Sequence, residues 1–95
     1  MSRPLKRSLT LHGHATSVSL EPDFWRVFQA LAQERGMAVN ALAAQIDEQR
    51  GPATGLATAI RLFVLRELEA KLAEARDALQ AAAQPATGAD PGGME

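Results

Sequence analysis

A mainly α-helical domain with a short N-terminal β-ribbon is the fold class this 95-residue chain predicts, and three observations predict it. Thr16, Val18 and Leu20 alternate with Ser17 and Ser19, giving the apolar and polar faces of a half-buried strand. Phe24, Val27, Phe28 and Leu31 then recur at helical spacing, and Gly36 falls where a left-handed helix cap belongs. A second helix starts directly afterwards. One strand cannot hide its own edges and two short helices make a small core, so the order implies that the strand pairs with a strand of another copy.

Helix one starts near Pro22, which a first turn tolerates, with Glu21 and Asp23 at the positive end of its dipole. Trp25 and Phe28, two of only four aromatics, lie at helical spacing and read as core. Helix two runs from about Val39 to Gln49 and buries Val39, Leu42, Ala43 and Ile46. The core of the dimer is expected to hold Val18, Leu20, Phe24, Phe28, Leu31, Leu42 and Ile46. Gly51-Pro52 breaks the chain, and Thr54 can cap a third helix from about Gly55 to Ala81. Its first half buries Leu56, Ile60, Phe63 and Val64. Its second half sets Leu65, Leu68, Leu72, Ala75 and Leu79 at alternating steps of three and four, a coiled-coil seam of about two heptads. Glu67 and Lys71 are spaced as a supporting pair. Two heptads are too short to dimerise alone, so the seam extends a dimer formed by the core, or it serves as a docking surface for a second protein.

The stretch before the strand is ambiguous. Leu9 and Leu11 alternate with Ser8 and Thr10, so an outer strand from about Arg7 to His12 is one reading. With Gly13-His14 as a two-residue turn, glycine first, Leu11 would face Thr16, Leu9 would face Val18, and the hydroxyls would share the other face. A dimer of such hairpins has four strands, whereas a DNA major groove admits two.

Residues 1 to 6 read as a flexible basic arm, 7 to 80 as the domain, and 81 to 95, rich in Gly, Pro and Ala, as a disordered tail. The net charge of −1 hides an asymmetry. Residues 1 to 20 carry Arg3, Lys6 and Arg7 and no acid, for +3, while the rest carry seven basic and eleven acidic groups, for −4. A basic arm on an acidic body suits contact with phosphates, and equally suits a solubilising start.

The chain has no cysteine, hence no disulfide or thiolate metal site, which fits a reducing cytoplasm. No apolar run approaches a membrane span, and Thr10, His12 and His14 interrupt any signal-peptide core, so a cytoplasmic protein with no membrane partner is expected. There is no nucleophile elbow, phosphate-binding glycine loop or spaced ligand set, so neither an enzyme nor a cofactor is expected. His12 and His14 could begin a metal site, but no third ligand is evident and none is expected to form.

The segment Ser-Val-Ser-Leu-Glu-Pro-Asp-Phe-Trp and the later Gly-x-x-Val-Asn-Ala-Leu, in this order, resemble the ribbon-helix-helix family of DNA-binding proteins. The likeness covers roughly residues 6 to 68 and is nearest to small bacterial members with an N-terminal Lys-Arg-Ser and a third helix. It implies an intertwined homodimer whose paired strands enter the major groove of double-stranded DNA. Counted back from Leu20, the resemblance puts the base-reading positions at Ser19, Ser17 and Ala15, where family members carry larger polar side chains. It also implies a phosphate held at the start of helix two, by the amides around Val39. The usual Ser or Thr cap is Ala38 here, with Asn40 as a nearby substitute or a plain surface residue. Two serines and an alanine offer no bidentate base contact, which leaves specificity low or carried by Lys6, Arg7 and His14.

Two functions follow. One is a dimeric DNA-binding transcriptional regulator contacting DNA through ribbon and arm. The other is a homo-oligomeric interaction module, antitoxin-like included, that uses helix 56 to 80 on a protein partner and lacks groove readout.

Overall fold

The computed structural model describes residues 3 to 83 in five elements: β1 (Leu5–Leu11), β2 (His14–Leu20), α1 (Pro22–Glu34), α2 (Val39–Gln49) and α3 (Leu56–Ala83). The chain divides into two units, one running to Leu65 and one from Arg66 onward. The outer strand therefore exists, and it begins at Leu5, inside the stretch expected to be an arm. At the other end, residues 81 to 83 are the last turn of α3, and the remainder of the expected tail lies outside the described residues.

β1 and β2 form an antiparallel hairpin whose turn is His12-Gly13, one residue earlier than the Gly13-His14 turn expected. His12 (φ 54°) and Gly13 (φ 79°) are both left-handed, the signature of a type I′ turn. That turn matches the right-handed twist of the strands, and its second position suits glycine, so glycine is used second rather than first. The pairing slides by two residues: Leu11 meets His14, Leu9 meets Thr16, Arg7 meets Val18 and Leu5 meets Leu20. A slide of two keeps every side chain on the face that the sequence assigned, because the strand period is two.

α1 carries Pro22 in its first turn and ends as the Gly36 position predicts. Gly36 (φ 68°) donates to the Gln33 carbonyl at 3.0 Å, and Met37 donates to Ala32 at 2.9 Å, the paired bonds of a Schellman cap. A side chain at position 36 would meet nothing, so any cost of substitution there is backbone strain alone. α2 starts after Ala38, which makes no side-chain cap bond. Gly55, rather than Thr54, stands before α3, and its carbonyl accepts the first helical bond from Ala59 at 2.9 Å. The Thr54 carbonyl instead accepts from Arg50 Nη1 at 2.7 Å.

In the first unit the inner face of the hairpin, α1, α2 and the start of α3 close one core. Leu20, Phe28, Leu42 and Ile60 are sealed at its centre, with Leu9, Leu11, Val18, Leu31, Ile46 and Val64 around them. Phe28 meets Phe63 edge-on at 6.3 Å and Trp25 at 6.2 Å. Of the residues expected in a dimer core, all but Phe24 are buried within one chain, and Phe24 is half-buried. On one side of β2 the neighbouring strand is thus β1 of the same chain, where a strand of another copy was expected. In the second unit, α3 residues from Arg66 on are exposed apart from Glu67 and Lys71, which are half-buried. Among the described residues, no helix is long and apolar enough to cross a membrane.

Candidate nucleic-acid interface

Residues opposite each other in an antiparallel ladder share a face. The pairs Lys6–Ser19, Ser8–Ser17 and Thr10–Ala15 therefore make one surface of the hairpin, and all six residues are exposed. That surface carries four hydroxyls, two methyls and one ammonium, with no large apolar group. The opposite surface presents Leu9, Leu11, Val18 and Leu20 to the core. Arg7 lies on that core side. Its guanidinium stacks over Trp25 at 5.4 Å, and its Nε is buried without a hydrogen-bond partner. Lys6 and Arg7, adjacent in sequence, thus point to opposite sides of the ribbon.

Alternation of bonded and non-bonded pairs decides what each strand edge offers. A two-residue turn makes Leu11–His14 a bonded pair, so Thr10–Ala15, Ser8–Ser17 and Lys6–Ser19 turn their amides and carbonyls outward. Two contacts agree with this assignment. On the β1 edge, the Thr10 amide donates to Asn40 Oδ1 at 3.1 Å. On the β2 edge, the Ser19 carbonyl accepts from Arg61 Nη2 at 3.2 Å. Asn40, expected beside a phosphate, fastens the outer strand to α2. Val39 is half-buried in the first turn of that helix.

Arg61 holds the end of β2 through a second bond as well, from Nε to Glu21 Oε1 at 3.0 Å. A hydrogen bond from the Glu21 backbone amide, and then the bond from Arg61, holds the Glu21 carboxyl below its ordinary value of 4.5. At the turn end, His12 Nε2 lies 3.4 Å from Glu48 Oε2. His14 is exposed, and with His12, Asp47 and Arg50 it borders an open cleft of about 340 Å³. Arg50 is committed to Asp47, 2.7 Å away, and no group of three metal-binding side chains occurs among the described residues.

The structure therefore brings Lys6, Ala15, Ser17 and Ser19 onto one face, adds Ser8 and Thr10 to it, and sends Arg7 to the other side. The Arg7–Trp25 stack and the Arg61–Glu21–Ser19 clamp have no local signal in the sequence. Their members are 18 and about 40 residues apart, and only the packing of α1 and α3 on the hairpin joins them.

A two-stranded ribbon backed by a helix–turn–helix pair, with a polar outer face, defines a β-ribbon module. The match of a family model for the ribbon-helix-helix domain over residues 4–68 makes this specific: the chain belongs to the ribbon-helix-helix family. Domains of this family are generally DNA-binding transcriptional regulators or antitoxins, and they typically form homodimers. No curated protein and no solved structure matches the chain.

Proposed function

We propose that this protein is a homodimeric DNA-binding regulator that reads DNA with the hydroxyl-bearing face of its hairpin. The observation that carries the reading is that face: Lys6, Ser8, Thr10, Ala15, Ser17 and Ser19 are all exposed on the side away from the core. The dimer is supported by the β2 edge. Ala15 and Ser17 turn backbone donors and acceptors outward there, beyond the Ser19 carbonyl that Arg61 holds, and an antiparallel second β2 satisfies them reciprocally. The sheet order becomes β1–β2–β2–β1. A major groove about 12 Å wide admits two strands, so the central β2 pair enters it. The two β1 strands flank that pair, which brings Lys6 toward the phosphate walls. In this arrangement only two of the four strands need to fit within the groove.

Serine hydroxyls donate and accept singly, so base discrimination is expected to be modest. The Ser17→Ala/Ser19→Ala double variant should melt within a few degrees of the wild type and lose its preference for its own promoter over random duplex. Lys6→Gln removes one charge per subunit and should flatten the slope of log affinity against log salt by about two units per dimer, at ~0.9 per phosphate contact. If the serine variant keeps its preference, or none exists to lose, groove readout is wrong. The leucines exposed along α3 then favour the second reading, an interaction module.

A further inference from the structure

The leucines of α3 leave a surface to be explained. Leu65, Leu68, Leu72 and Leu79 are 50, 43, 53 and 70% exposed and fall on one stripe of the helix, with Ala75 and Ala82 completing its heptad spacing. Leu65, Leu72 and Leu79 take the first core position, and Leu68, Ala75 and Ala82 the second. Beside the stripe, Glu69 and Arg76 take one flanking position, while Lys71 and Ala78 take the other.

We propose that this stripe pairs with the same stripe of a second copy, and that the two helices run antiparallel. Charge decides the direction. A parallel pair sets each Lys71 against the partner's Arg76, so like charges meet twice across the seam. The antiparallel pair removes that conflict. In the register that uses the whole stripe, Leu65 stacks on the partner's Ala82, Leu68 on the partner's Leu79, and Leu72 on the partner's Ala75. Each layer then repeats through the two-fold axis. Glu69 comes beside the partner's Arg76 on both sides of that axis, and Lys71 faces the partner's Ala78. In two of the three kinds of layer an alanine opposes a leucine, which keeps the helices close and the layers evenly filled.

This inference concerns α3 alone and does not rest on DNA binding. The test is read without DNA, so its failure leaves the proposed reading of the hairpin face intact. The chain has no cysteine, so introduced cysteines report position without background. Full-length Leu68→Cys and Leu79→Cys proteins are oxidised separately and as an equimolar mixture, with helical content checked by circular dichroism. The antiparallel seam predicts a disulfide joining the two variants in the mixture. It predicts none in either variant alone, where the cysteines lie about 16 Å apart along the axis at 1.5 Å per residue. Self-cross-linking of each variant overturns the direction, and no cross-link in any arm overturns the seam. Arg76→Glu supplies a measurement that leaves the leucines intact. It should weaken self-association in sedimentation about three- to tenfold, and a further Glu69→Arg change should restore it. Tighter association of Arg76→Glu would mean a parallel pair.

Discussion

The unit ending at Leu65 and the helix segment beyond it use the same residue types for opposite ends. In the first, leucine, isoleucine and phenylalanine from five elements converge, and Leu20, Phe28 and Ile60 have no exposure left. In the second, leucines at equally regular spacing keep between 43 and 70% of their surface. Periodicity alone does not distinguish the two. A helical apolar stripe states that something will cover it, and the partner is fixed by what the rest of the chain can fold against it. For Ile60 and Val64 that partner is the hairpin and the helix pair of the same chain. For Leu68, Leu72 and Leu79 we assign a second copy.

Truncation at matched positions gives the largest expected contrast. Phe28→Ala should cost about 3–5 kcal/mol of stability, a large part of what a small domain has. Leu72→Ala should cost less than about 1 kcal/mol in dilute protein and should act on self-association instead. Urea unfolding at two protein concentrations separates these effects, and equal losses at low concentration would mean that the two regions do not differ as described. A smaller effect tests the attachment of the outer strand. Asn40→Ala removes the acceptor for the Thr10 amide and should cost about 0.5–1.5 kcal/mol. The Thr10 amide should then exchange its hydrogen faster, and unchanged exchange would show that the Asn40 bond does not protect that amide.

The smallest effect concerns pH. Glu21 has a lowered folded-state pKa, so its stabilising contribution is present above the ordinary value of 4.5 and is lost as pH falls through the lowered one. Glu21→Gln should therefore lower stability slightly at pH 7 and leave it unchanged at low pH, which flattens the acid side of the profile. A steeper acid limb in the variant would contradict the clamp.

The comparison also shows where inference from pattern stops. The spacing of Phe24 to Leu31 and the place of Gly36 specify α1 and its Schellman cap, since both depend on contacts within a few residues. The hairpin turn is misplaced by one residue because His12-Gly13 and Gly13-His14 both satisfy local turn rules. The ladder length and the packing of β1 on α2 select between them. The expectation of a flexible arm fails at Leu5 and Lys6 for a related reason, since a short basic segment carries no sign that a ladder will extend through it.

The sequence by itself determined which residues face inward. Side-chain direction in strands and helices follows from periods of two and 3.6, and a register slip of two residues preserves it. Tertiary structure decided the roles of the polar and charged groups. Lys6 and Arg7 are neighbours of equal charge, yet one lies on the hydroxyl face and the other stacks on Trp25 at 5.4 Å. Asn40 became a fastener for β1, and Arg61 became a clamp on β2. A polar side chain is committed by whichever unsatisfied group the fold brings within about 3 Å, and that distance is set by elements far apart in the chain.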